Sequence, residues 1–136
     1  MDQTAEILEK AIFGSLKIIE QDREREIISR RFGLSGQKET LEQIGEMLSI
    51  TRERVRQLEK AILIRLKIAA EENQIPELAA AEKILIRNLT EMGRIAKISD
   101  LANKIYHHSA HLDHTKLYFI ATFRSEEHTS ELQSQY

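Results

Sequence analysis

Apolar positions recur at helical spacing almost from the start of this chain. Ile7, Leu8, Ala11, Ile12, Leu16 and Ile19 predict a first helix over residues 3–20. A second is expected through Glu26, Ile27, Ile28 and Phe32, with Asp22 as its N-cap and Gly33 as its stop. Ser35-Gly36-Gln37-Lys38 has the composition of a loop. Thr40-Leu41-Glu42-Gln43 then has the form of a capping box, in which the Thr hydroxyl accepts the Gln N–H and the Gln side chain reaches back. The helix it opens carries Leu41, Ile44 and Leu48 on one face, and Gly45 leaves room for another helix to come close. Ser49-Ile50 breaks the pattern. Thr51 is the next N-cap, for a helix running to about Lys67 with Val55, Leu58, Ile62 and Leu66 in one stripe.

Two capped amphipathic helices joined by a short turn follow the grammar of a helix-turn-helix. An αα-hairpin in a bundle shares that apolar pattern, so the polar face of the second helix has to separate the two. Arg52, Glu53, Arg56, Gln57 and Lys60 fall in one sector of that helix, roughly opposite the apolar stripe. Their chemistry suits base edges in a major groove. Arginine pairs bidentately with guanine, glutamine reads adenine, and glutamate accepts from cytosine. Lys60, further along, suits a phosphate. A carboxylate at Glu53 among arginines serves a sequence reader better than a plain phosphate grip, either against cytosine or by orienting Arg52 or Arg56.

Charge supports this only locally. The whole chain has a formal net charge of −2. Residues 51–67 carry Arg52, Arg54, Arg56, Lys60, Arg65 and Lys67 against Glu53 and Glu59, a net of +4. Such a basic stripe on one helix is the footprint of a small DNA reader, although a solvated helix face has the same composition. The 136 residues fit one compact domain or two very small ones. With one Pro, five Gly and no Trp the composition leans to helix. Cysteine is absent, so no disulfide framework or thiolate zinc site is possible, and the composition suits a reducing cytoplasm. No apolar run reaches membrane-spanning length, and no signal pattern opens the chain.

The run from Arg23 to Leu34 (REREIISRRFGL) resembles the beginning of region 4 of the bacterial sigma-70 family. Thr40-Leu41-Glu42-Gln43-Ile44-Gly45 and the string from Ile50 to Glu59 (ITRERVRQLE) resemble its helix-turn-helix. The resemblance covers about residues 20–67. It implies recognition of double-stranded promoter DNA, with Arg52, Glu53, Arg56 and Gln57 at or near the bases and Thr51, Arg54 and Lys60 on the same helix. It places Arg23, Leu41 and Glu42 where the family touches the DNA backbone or neighbouring groups. It also implies that the apolar surface of the preceding helices holds the flap-tip helix of the RNA polymerase β subunit, whereas Ile27, Ile28 and Phe32 themselves suit a domain core. The regions with which sigma factors bind the polymerase clamp and melt DNA are expected upstream of region 4, in far more chain than residues 1–20. The expectation is therefore a stand-alone regulator built on a sigma-type reader, or a fragment, with the initial Met1 favouring a real start.

In the C-terminal half, 71–77 has the composition of a helix end and linker, with Pro76 fit to start the next helix. Leu78, Ala81, Ile84, Leu85 and Leu89 predict a helix that Gly93 ends. Ser99 caps a short helix through Tyr106, and His114 to Phe123 suits helix or strand. Ile84-Leu85, Gly93-Arg94, Ile98, Leu101-Ala102 and Ile105 resemble the pattern of a HARE-type winged helix-turn-helix that is cut short after Phe123. Residues from Arg124 to Ser134 resemble the in-frame translation of a sequencing-library adapter, so 124–136 is set aside as a non-native tail.

The remaining cluster is His107, His108, His111 and His114. His107 and His111 have i, i+4 spacing, but no cysteine or zincin glutamate accompanies them, and Leu112-Asp113 suggests a turn. Loop histidines are the expectation. No phosphate loop, nucleophile elbow or carboxylate pair appears, so no enzyme, metal or cofactor is expected.

The expected protein is all-α and cytoplasmic, associated with the bacterial nucleoid. A region 4-like domain over 1–70 and a linker at 71–77 precede a winged-helix-like domain over 78–123. Its function is major-groove readout of a promoter element through the Thr51–Lys67 helix, with RNA polymerase contact as a second role. The alternative is an interaction module that docks on the polymerase β flap or a regulator and touches DNA little.

Overall fold

The computed structural model describes residues 4–34, 36–93, 96–97, 111–124 and 132–133; of 96–97, 111–115, 123–124 and 132–133 it describes the backbone alone. Helices dominate: α1 Thr4–Ile18, α2 Asp22–Phe32, α3 Leu41–Leu48, α4 Arg52–Glu71, α5 Glu77–Glu91 and α6 His111–Arg124. A two-residue parallel ladder, β1 Ala96–Lys97 with β2 Leu132–Gln133, pairs Ala96 with Leu132. The class is all-α, as expected. The expected helix around Ile98–Tyr106, and with it most of the HARE-like pattern, lies outside the described residues.

The helix ends follow local chemistry. Thr40 forms the full capping box, its hydroxyl accepting the Gln43 N–H at 3.1 Å while Gln43 Oε1 accepts the Thr40 N–H at 2.8 Å. Thr51 accepts the Arg54 N–H at 3.1 Å. Three helices end on one device, a left-handed residue followed by an N–H that reaches back five residues. Gly33 (φ 66°) precedes Leu34, bonded to the Ser29 carbonyl at 2.9 Å. Ser49 (φ 60°) precedes Ile50, bonded to Gly45 at 2.9 Å. Asn73 (φ 58°) precedes Gln74, bonded to Ala69 at 2.8 Å.

Two expected boundaries move. Gln21 rather than Asp22 is the N-cap of α2, without a side-chain cap bond. Asp22 is already helical, and its carboxylate pairs with Arg25. Helix α4 runs past Lys67 to Glu71, because Ala69 and Ala70 are buried and nothing breaks the helix before Asn73.

The apolar side chains gather in a smaller and a larger cluster. The smaller holds Ile27, Ile44 and Val55, with Leu41, Leu48, Ile50 and Leu58 packed around them. The larger joins Leu8, Ala11 and Ile12 of α1 to Ile28 and Phe32 of α2 and to Ile62 and Leu66 of α4. It continues into Leu78, Ala81 and Ile84 of α5 and Leu117, Phe119 and Ile120 of α6. The expected linker at 71–77 does not separate one core from another, because it carries the buried Ile75 into this larger cluster. Phe32 meets Phe119 edge-on at 5.2 Å between ring centroids, tying the end of α2 to α6. Fully burying side chains of this size stabilises by about 1.5–3 kcal/mol each. Two ion pairs lace α2 to α4, Arg31 to Glu59 at 3.1 Å and Glu24 to Arg65 at 2.7 Å.

Gly45 serves a different contact from the one expected. A Cβ there would lie 2.7 Å from the Ile50 carbonyl oxygen. The close approach is made by the backbone of the α3–α4 turn, which cannot swing away as a side chain could. Gly45→Ala is expected to destabilise the protein by roughly 1–3 kcal/mol, as overpacking does. Urea unfolding followed by circular dichroism measures it, and an unchanged midpoint would show that the turn has slack.

Candidate nucleic-acid interface

Helix α3, eight residues long, is too short to be stable alone. Its capping box and the buried Ile44 hold it, and Gly45 lets the turn fold tightly back. Val55, fully buried under Ile44 and Ile27, then fixes the rotation of α4. That rotation sends the opposite side of the first turns of α4 outward. Arg52, Glu53, Arg56, Gln57 and Lys60 are all exposed there, as expected from their sector. Thr51, at the cap, and Arg54 are exposed as well.

Side-chain chemistry divides this set. Glu53 and Arg56 are locked together: Arg56 Nε donates to Oε1 at 2.9 Å and Nη2 to Oε2 at 2.7 Å. Chiefly because of this hydrogen bonding, the Glu53 carboxyl is held below its ordinary pKa and the Arg56 guanidinium above its own. The charge of Arg52 lowers Glu53 further. Of the two arginines that Glu53 could orient, the structure places it on Arg56. The bidentate grip leaves Arg56 Nη1 pointing elsewhere. Arg54 Nη1 donates to Gln57 Oε1 at 3.5 Å, a long contact. Arg52 and Lys60 make no side-chain hydrogen bond or ion pair among the described residues.

The residues expected to flank the DNA are dispersed. Arg23 lies exposed in the first turn of α2, and Glu42 exposed in that of α3. Leu41 packs against the Ile27–Ile44–Val55 cluster, so its main contact is internal. Ile27, Ile28 and Phe32 are interior, as expected of core residues.

Sequence reasoning missed a cleft of ≈ 520 Å³ along the second half of α4. It gathers Arg31, Lys38, Arg56, Lys60 and Lys67 around Phe32, Leu63, Ile64 and Tyr118. Burial, and then the charge of Arg31, hold the Lys38 ammonium below its ordinary pKa. These groups come from α2, the loop after it, α4 and α6, so no local signal marked them. No side chain of the histidine cluster is among those described. His107 and His108 lie outside the described residues, and Leu112-Asp113, expected to turn, is helical within α6. Among the described residues no three metal-ligating side chains come together, and no helix is long and apolar enough to cross a membrane.

A short capped helix, a tight turn and a second helix with an outward polar row define a helix-turn-helix domain. Residues 21–67 match the family described as Sigma-70, region 4. The chain is 39% identical over 61 residues to RNA polymerase sigma factor sigB of Arabidopsis thaliana, covering 44% of this chain and 11% of that protein. It is 39% identical over 57 residues to RNA polymerase sigma factor SigA4 of Synechococcus elongatus, covering 41% and 18% respectively. SigA1 of the same organism is 46% identical over 46 residues, covering 33% and 12%. The chain thus spans less than a fifth of the length of each of these relatives. No solved structure matches. Over residues 21–67, the stretch that holds the helix-turn-helix, the chain is thus similar to region 4 of the sigma-70 family.

The Glu53–Arg56 pair is testable in solution. A carboxyl whose pKa is lowered by folding contributes stability that is present above the unfolded pKa and is lost as pH falls through the folded one. Carbon-detected NMR titration is expected to place the Glu53 midpoint below the ordinary glutamate range, and Arg56→Ala to return it towards that range. High salt should reduce the difference, since the pair is exposed. An unshifted midpoint in the parent protein would mean that the pair does not persist in water.

Proposed function

We propose that this protein reads a promoter element in double-stranded DNA by laying the N-terminal half of α4 in the major groove. The observation that supports this most directly is the exposed row Arg52, Glu53, Arg56, Gln57 and Lys60, aimed outward by the burial of Val55 on the opposite side. In this reading Arg52 and Gln57 contact bases. Arg56 does so with a guanidinium that Glu53 positions, or Glu53 releases it and accepts from a cytosine amino group. Lys60 meets a phosphate, and Thr51 holds the helix start. Arg54, Arg23 and Glu42 lie near the backbone of the duplex, with Leu41 bracing α3 from below.

The named relatives are RNA polymerase sigma factors. We extend to this chain a contact with RNA polymerase core, through the β flap, and a place in the cytoplasm beside the nucleoid. The rival reading is a module that docks on polymerase or a regulator with little DNA binding of its own.

Fluorescence anisotropy of the full chain against a promoter duplex and a scrambled duplex separates the two. Arg56→Ala is expected to weaken promoter binding between about fivefold and a hundredfold and to spare the scrambled duplex. Lys60→Ala should weaken both evenly and lower the salt slope by about 1. If both variants bind both duplexes like the parent, the assignment of the reading face is wrong. Loss confined to polymerase binding would favour the rival.

A further inference from the structure

Arg56 has two carboxylates within reach on its own helix. Glu53 lies three residues before it and Glu59 three residues after it. The structure commits Arg56 to Glu53, through Nε at 2.9 Å and Nη2 at 2.7 Å. Glu59 is engaged from another helix, its Oε1 accepting from Arg31 Nε at 3.1 Å. Nη1 of the same arginine donates to the Glu39 carbonyl at 3.3 Å, so the Arg31 guanidinium is held from two sides. Arg56 and Glu59 nevertheless line one cleft.

Helix α4 alone does not decide between the two carboxylates. A glutamate that precedes its cation is favoured on a helix, which helps Glu53. Glu59 is the less hydrated, its side chain 16% exposed against 57% for Glu53. A charge with little water around it attracts a cation more strongly. The other positions three or four residues from Glu59 hold Val55, Ile62 and Leu63, so Arg56 is the one cation of α4 spaced to answer it. We propose that Arg31 is a positioning residue for Arg56: by occupying Glu59 it leaves Arg56 to Glu53 and keeps that guanidinium turned toward the first turn of α4. The consequence for DNA rests on the reading face proposed above; the aiming of Arg56 does not.

Titration of the Glu53 carboxyl by NMR, in the full chain, reads the pairing without DNA. Arg31→Met removes the charge and keeps an unbranched side chain. It is expected to raise the Glu53 midpoint towards that of Arg56→Ala, because the freed Glu59 draws Arg56 away. Adding Glu59→Gln to Arg31→Met should bring the midpoint back to the parent value. A merely structural Arg31 would not produce that return. Glu59→Gln alone should leave the midpoint in place, since Arg31 already occupies the carboxylate. A midpoint unmoved by Arg31→Met, or not restored in the double variant, would overturn the proposal. So would a fall in Glu59→Gln, which would show Glu59 sharing Arg56 even beside Arg31. Anisotropy reports the consequence: Arg31→Met should lower the preference for the promoter over the scrambled duplex by about two- to tenfold, and the double variant should recover it. A midpoint that moves and returns while duplex binding stays constant would uphold the aiming of Arg56 and tell against the reading face alone.

Discussion

The structure depends on one helix belonging to two apolar clusters at once. Val55, near the start of α4, closes the small cluster with Ile27 and Ile44. Ile62 and Leu66, two and three turns on, lie in the large cluster with α1, α2, α5 and α6. Helix α2 is divided in the same way by two neighbouring residues, Ile27 facing one cluster and Ile28 the other. Because both helices are rigid and shared, the small helix-turn-helix unit cannot tilt without disturbing the large core. The Arg31–Glu59 and Glu24–Arg65 pairs, at opposite ends of the α2–α4 contact, set the register of the two helices. Neither pair is deeply buried, so packing supplies the energy and the ion pairs the alignment.

On that frame the exposed row of α4 is free of structural duty. None of Arg52, Glu53, Arg56, Gln57 and Lys60 is buried, and the Glu53–Arg56 and Arg54–Gln57 hydrogen bonds stay on the exposed side of α4. The Glu53–Arg56 grip keeps one arginine in a set direction and leaves Arg52 and Lys60 unengaged among the described residues. A flexible arginine loses side-chain entropy when it is fixed on a base. One already held by a neighbouring carboxylate has lost some of that freedom beforehand.

Local chemistry was the most legible aspect of the sequence. The Thr40–Gln43 capping box, the Thr51 cap, Gly33 as a stop and the outward sector of α4 all rest on residues within a few positions of one another. What escaped was non-local, or depended on competition between neighbours. The continuation of α4 to Glu71 turned on the burial of Ala69 and Ala70, which depends on distant helices. Asp22 satisfies ordinary cap preferences, but here it pairs with Arg25 and Gln21 takes the cap. The role of Ile75 in the large core and the wall that Tyr118 adds to the cleft required the chain to fold back over forty or more residues. The similarity to sigma-70 region 4 was legible because the string of charged residues on α4 is unusual, not because its periodicity is.

The turn between α3 and α4 has room for a hydrogen atom on Gly45 and nothing larger. Posture and vocabulary are thus stored in different residues. A glycine and a buried valine decide how α4 is held, and exposed side chains decide the chemistry it presents. Changes to the second set leave the first undisturbed, so one scaffold can present a different surface through exposed substitutions at little cost in folding.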